Sequence, residues 1–159
     1  SKTTLVGWFF FTNFEIMPSL SKVCFFFEQK GFALKNRTSL KAFIESIFRK
    51  EKKKLSSLNY IFCSDKRLLE INQQYLGHDY FTDIISFDLS DSGLIMGEIY
   101  ISIDRVRDNA RSLGVSFNSE LHRVIFHGAL HLCDYEDNSS KNTDKMRKKE
   151  DHYLAKYFK

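Results

Sequence analysis

A chain of 159 residues, 43% of them apolar and including 16 Phe and 7 Tyr, is the size of one domain and has ample material for a core. One Pro and seven Gly exclude collagen-like and linker-rich classes, and no internal period marks a repeat array. The net charge of +4 permits a polyanionic partner without demanding one, and the basic clusters at residues 50–54, 105–111 and 145–149 read as solvated helix faces.

Cys24, Cys63 and Cys133 are odd in number and form no Cys-x-x-Cys pair, which fits free thiols in a reducing compartment and predicts a cytoplasmic protein. The first apolar run, Leu5-Val6-Gly7-Trp8-Phe9-Phe10-Phe11, is broken by Asn13 and Glu15 and has no small-x-small cleavage site after it. A membrane span needs about 20 apolar residues, so no membrane association is expected. The expectation is a single domain over residues 1–159, with residues 1–17 as a candidate extension outside the core, since Met17-Pro18 can mark where that core begins.

Val23-Cys24-Phe25-Phe26-Phe27-Glu28 is predicted as a strand ending at the Lys30-Gly31 turn. Thr38 or Ser39 should cap a helix whose Leu40, Phe43, Ile44, Ile47 and Phe48 recur at helical spacing. Leu58-Asn59-Tyr60-Ile61-Phe62-Cys63 is the next strand, and Ser64 caps a helix running to Gly77. A polar connection, His78 to Thr82, leads into the strand Asp83-Ile84-Ile85-Ser86-Phe87-Asp88-Leu89. The turn Asp91-Ser92-Gly93 separates it from Gly97-Glu98-Ile99-Tyr100-Ile101-Ser102-Ile103, as a hairpin or as separate members of a mixed sheet. Asp104 should cap a helix ending at Gly114, Asn118 or Ser119 the next, and a last helix should start near Thr143. Interleaved strands and helices predict an α+β fold: a small mixed four-stranded sheet packed with about five helices.

Chemistry concentrates in Phe126-His127-Gly128-Ala129-Leu130-His131-Leu132 and the acidic turn Cys133-Asp134-Tyr135-Glu136-Asp137. Residues four apart on a helix differ by about 40° in azimuth, so His127 and His131 share one face and can bind one metal ion. Asp137 can return from the turn as third ligand, leaving an open coordination position. Asp134 and Glu136 are alternative carboxylates, Cys133 is a weaker candidate, and His122, about 140° from His127, should lie at the surface or behind the ligands. The bland alternative is a pair of core histidines beside a solvated turn. A two-imidazole, one-carboxylate site would polarise water for attack on an ester or phosphoryl centre. In His-Glu-x-x-His peptidases the residue after the first His is the general base, and here it is Gly128, which disfavours a peptidase and favours a phosphodiester substrate.

His127-Gly128-Ala129-Leu130-His131-Leu132 with Asp137 resembles the metal-binding signature of the YbeY family of ribosomal-RNA maturation factors. Asn72-Gln73-Gln74-Tyr75, Thr82-Asp83-Ile84-Ile85-Ser86-Phe87 and Gly97-Glu98-Ile99-Tyr100-Ile101-Ser102 match in the same order, extending the resemblance over residues 22–158. It implies a metal-dependent endoribonuclease acting on single-stranded RNA in ribosomal RNA processing and ribosome quality control. The implied cofactor is one divalent ion, zinc by preference, held by His127, His131 and Asp137; the implied partners are single-stranded or ribosomal RNA and the small ribosomal subunit, with the protein a monomer.

Asp137 stands where the family most often has His, Leu76 where many members have an Arg, and Asp134 where Gly is usual. With Leu76 in place, His78 and Arg105 become the candidates for phosphate or RNA contact. Thr82 and Asp83 read locally as a turn or cap device; the resemblance places them beside the site, where Asp83 can orient a metal-bound imidazole. Two other readings compete: a non-catalytic RNA-binding ribosome-assembly factor with a structural metal, and a metal hydrolase of another ester or amide.

Overall fold

The computed structural model describes residues 20–159, so the candidate extension at residues 1–17 lies outside the described residues. Within them the order is β1 (Val23–Phe27), α1 (Arg37–Lys50), β2 (Lys54–Cys63), α2 (Asp65–Leu76), β3 (Ile84–Asp88), β4 (Leu94–Ser102), α3 (Ile103–Leu113), α4 (Phe117–Leu132) and α5 (Ser140–Tyr157). The strands form one mixed sheet in the order β1-β2-β4-β3. β1 with β2 and β2 with β4 run parallel, and β3 returns antiparallel against β4. The predicted α+β layer is therefore the observed one, and no helix among the described residues is long and apolar enough to cross a membrane.

Strand periodicity divides the core. Leu58, Tyr60 and Phe62 of β2 and Ile99 and Ile101 of β4 point to one face, where they meet Ile44 and Phe48 of α1, Ile125 and Ala129 of α4 and Tyr153 of α5. Cys63 and Ile85 point the other way, onto Leu68 and Ile71 of α2. α4 lies at the centre of the larger layer, and the buried Tyr60 hydroxyl donates to the Ile125 carbonyl at 2.8 Å, fixing the helix to the middle of the sheet. Gly128 supplies the close approach: a Cβ there would stand 2.8 Å from Ile99 Cδ1 and 2.9 Å from Ile84 Cδ1.

Local signals placed some boundaries and missed others. Ser64 caps α2, Gly77 and Gly114 end α2 and α3 in the left-handed region, and Ser92 and Gly93, both at positive φ, make the β3–β4 hairpin turn. Four helix starts differ from expectation. α1 begins at Arg37 after a left-handed Asn36 that makes no side-chain cap, while Ser39 donates back to the Asn36 carbonyl at 3.0 Å. β4 runs directly into α3, so the cap is Ser102, not Asp104; the Asp104 carboxylate instead accepts from the Asp65 N–H at 2.9 Å. Ser116 replaces Asn118 or Ser119 as the cap of α4, and Ser139 starts α5 earlier than Thr143. In the last three of these stretches several Ser, Asn or Asp residues compete, and the serine that caps is the one at which the incoming chain leaves extended geometry.

Candidate metal centre

α4 delivers His127 and His131 to one side of its C-terminal half. Their rings stand edge to face with centroids 4.5 Å apart. The helix closes in a Schellman arrangement: the Tyr135 N–H donates to the Leu130 carbonyl and the Asp134 N–H to that of His131. Asp134 takes the left-handed position, φ 72°, where glycine costs least, and its carboxylate pairs with Lys53. It is thereby turned away from the histidines, and the chain swings Asp137 toward them. Asp137 Oδ2 lies 3.5 Å from His127 Nε2 and 3.6 Å from His131 Nε2, and the Thr143 hydroxyl donates to the Asp137 carbonyl at 3.1 Å.

These three groups are the cluster of potential metal ligands found among the described residues, their donor atoms all within 4.8 Å of one another. Four donors placed tetrahedrally at the bond lengths usual for zinc stand about 3.3–3.6 Å apart, so two imidazoles and a carboxylate at these separations fit a first-row divalent ion. Cys133 is buried, its thiol pushed up to about 12 by burial reinforced by the charge of Glu51, and its sulfur is not among the converging donors.

A carboxylate that the sequence did not single out orients the first imidazole. Glu150 of α5 is buried, and its Oε1 accepts from His127 Nδ1 at 2.8 Å, leaving Nε2 to face Asp137. Arg123 stands 3.3 Å and Arg147 3.7 Å from Glu150 Oε2. Burial opposes the charged form of His127, but the Glu150 bond and the charges of Glu150, Asp137 and Asp83 outweigh it and raise its pKa. His131 goes the other way, lowered by burial and by its neighbour His127. Glu150 follows Met146 by four residues and precedes Tyr153 by three, so its place on the buried stripe of α5 was the available signal.

The cluster opens on a cavity of about 400 Å³ walled by Thr82, Asp83, Ile84, Ser86 and Asp88 on one side and by His127, His131, Leu132 and Asp137 on the other. β3 residues of even number share the face toward α4, which is why Ser86 and Asp88 join the wall. Ser86 Oγ is buried and makes no hydrogen bond to the described residues. Thr82 lies on the wall, its hydroxyl donating to the Ile84 carbonyl at 3.3 Å. Asp83 accepts from Asn109 Nδ2 at 3.2 Å; burial raises its pKa against the lowering charge of His127. The orienting role expected of Asp83 is thus filled at His127 by Glu150.

Neither candidate for phosphate contact lines this cavity. Arg105 is engaged by Asp65, Nη2 to Oδ2 2.5 Å, and lies over the Phe81 ring, while His78 stacks on Tyr80. His122 is buried, not superficial: its ring packs on Tyr157 and its Nδ1 lies 2.7 Å from the Asn118 carbonyl.

The turn carrying Asp137 is braced from α1. Glu51 accepts from the Tyr135 hydroxyl at 2.8 Å, the Tyr153 hydroxyl at 2.5 Å and Lys149 Nζ at 2.8 Å. Burial works to raise its pKa, and these bonds and the Lys149 charge bring it below the ordinary 4.5. A carboxylate depressed in the folded state contributes stability that is present above its unfolded pKa and lost as pH falls through the folded one. Glu51→Gln should therefore cost about 2 kcal/mol at neutral pH. The difference from the unchanged protein should shrink as pH drops below 4.5 in denaturant titrations; a constant difference would refute this linkage.

Residues 26–158 match the family model described as Endoribonuclease YbeY. The chain is 47% identical over 134 residues to Endoribonuclease YbeY of Cytophaga hutchinsonii, covering 84% of this chain and 94% of that protein. It is 50% identical over 123 residues to the Flavobacterium psychrophilum protein of the same name, covering 77% and 88%. Among solved structures it is similar to the solution structure of TM1509 from Thermotoga maritima, with a TM-score of 0.64 at 34% identity over 86% of this chain and 89% of that one.

Proposed function

Because the chain belongs to the endoribonuclease YbeY family and is thus an RNA-cleaving hydrolase, we propose that its reaction is carried by His127, His131 and Asp137 around one divalent ion. The observation that carries this reading is the convergence of the two Nε2 atoms on Asp137 Oδ2 at the mouth of a polar cavity. Zinc suits a borderline donor set of two nitrogens and one oxygen. A divalent ion held by one carboxylate and two neutral imidazoles leaves the site net positive and supplies Lewis acidity toward a phosphodiester oxygen and the attacking water.

The protein's own groups do the rest. Glu150 holds the proton on His127 Nδ1, so that Nε2 presents its lone pair. Ser86 Oγ, without a hydrogen-bond partner among the described residues, can donate to a phosphate oxygen, while the Thr82 hydroxyl is engaged by the Ile84 carbonyl. The raised pKa of Asp83 fits it to accept a proton from the attacking water. The substrate is single-stranded RNA, and the setting is ribosomal RNA processing and quality control in the cytoplasm, with a monomer acting at the small ribosomal subunit.

Purified protein should cleave an unstructured RNA, lose that activity to a chelator and regain it with added divalent ion; activity indifferent to exhaustive chelation would overturn the proposal. Glu150→Ala should weaken metal affinity by about 10–100-fold, read by competition with a chromophoric chelator. Glu150→Gln, which keeps an acceptor for His127 Nδ1, should lose less.

A further inference from the structure

The end of α2 and the segment leading from it to the cavity wall are aromatic and exposed. Tyr75 is 63%, Tyr80 57% and Phe81 52% exposed, although large aromatic rings ordinarily contribute to cores. Their backbone is held in place. Asn72, itself buried, donates through Nδ2 to the Tyr80 carbonyl at 2.9 Å, and its own carbonyl accepts from the His78 N–H at 3.2 Å. The rings are also ordered: His78 and Tyr80 stack at 5.1 Å and 20°, and the Arg105 guanidinium lies 5.1 Å from the Phe81 centroid. Phe81 is followed directly by Thr82 and Asp83, both on the cavity wall, so its Cα lies within about 7.6 Å of that of Asp83.

We propose that Tyr80 and Phe81 form a stacking platform for unpaired bases of the RNA strand entering the cavity, making them specificity-determining residues for single-stranded substrate. The inference rests on the nuclease reading above. Ordered, exposed rings continuous with the reacting site suit the flat faces of splayed bases, which a duplex keeps stacked internally. The platform contributes stacking in place of phosphate contact, because the cation beside it is already paired: Arg105 Nη2 lies 2.5 Å from Asp65 Oδ2. Leu76, 45% exposed at the end of α2, adds apolar rather than cationic surface at the same edge.

The test is binding of a fluorescent unstructured oligoribonucleotide to the full chain, with chelator present to prevent scission. Tyr80→Ala and Phe81→Ala should each weaken binding by about five- to a hundred-fold. Tyr80→Phe and Phe81→Tyr should restore it, and the dependence on salt should keep its slope. An oligonucleotide of the same length with abasic positions should bind weakly and equally to all variants. Alanine variants that bind the intact strand like the unchanged protein overturn the platform and leave the strip to a protein partner. Equal losses for intact and abasic strands, or no binding by the unchanged protein, also overturn it. Cleavage, measured separately with metal, distinguishes the two readings. A protein that binds through the rings without cutting fails only as a nuclease, and one that cuts but ignores the ring substitutions fails only as a stacking platform.

Discussion

His131→Ala and Asp137→Ala should each abolish RNA cleavage while leaving the fold intact. Their side chains are 29% and 48% exposed, and neither fills core volume, so each variant should unfold within a few degrees of the unchanged protein. Activity should nevertheless fall by more than about 100-fold, because losing a ligand exceeds the 10–100-fold usual for losing a group that only orients one. The measurement is cleavage rate beside metal content and melting temperature for each variant. Full activity in both would remove the metal centre from the mechanism. Metal loss accompanied by unfolding would make the ion structural. His127→Ala is the less clean experiment, since it also strips Glu150 of a partner in a buried network with Arg123 and Arg147.

Gly128→Val should have the largest effect on stability. Even the first added carbon would stand 2.8 Å from Ile99 Cδ1, 2.9 Å from Ile84 Cδ1 and 3.1 Å from Ile99 Cγ2, well inside van der Waals contact. Alanine regains up to about 1 kcal/mol of helix propensity, which partly offsets the strain. Valine adds two methyl groups and β-branching to an already overfilled contact, for a net loss of about 3 kcal/mol. In a chain of this size that is a fall of about 6–12 °C in melting temperature. Relief requires the Ile84 and Ile99 side chains to leave their positions or α4 to lift off β3 and β4, and the second would also separate the histidines from Thr82, Asp83 and Ser86 across the cavity. Unchanged melting of Gly128→Val would show that the helix tolerates the displacement. Gly97 has the same role from the sheet side, its missing Cβ lying 2.7 Å from Leu132 Cδ1.

The histidine pair was legible because helical periodicity is local: residues four apart share a face wherever the helix packs. Asp137 was legible as the preferred carboxylate of the turn, with Asp134 and Glu136 as alternatives; tertiary contacts set its Oδ2 beside both Nε2 atoms and pair Asp134 with Lys53 across 81 residues of sequence. Glu150 was not read as part of the site, because a glutamate in Lys148-Lys149-Glu150-Asp151 looks solvated until α5 is laid against α4. Ser86 was hidden for a similar reason: alternation divides β3 into two faces, but only packing says which one meets α4. Arg105 and His78 were named for their charge, and the structure commits the first to Asp65 and the second to Tyr80.

By itself the sequence determined what short-range physics determines: the α+β alternation, the glycine stops at Gly77 and Gly114, a turn at Ser92 and Gly93, and two imidazoles on one helical face. Tertiary structure alone decided the carboxylate behind His127, the free hydroxyl on the cavity wall and the brace of Glu51 on the turn carrying Asp137. These depend on contacts between elements 23 to 102 residues apart, which exist only once helix and sheet have been packed in register.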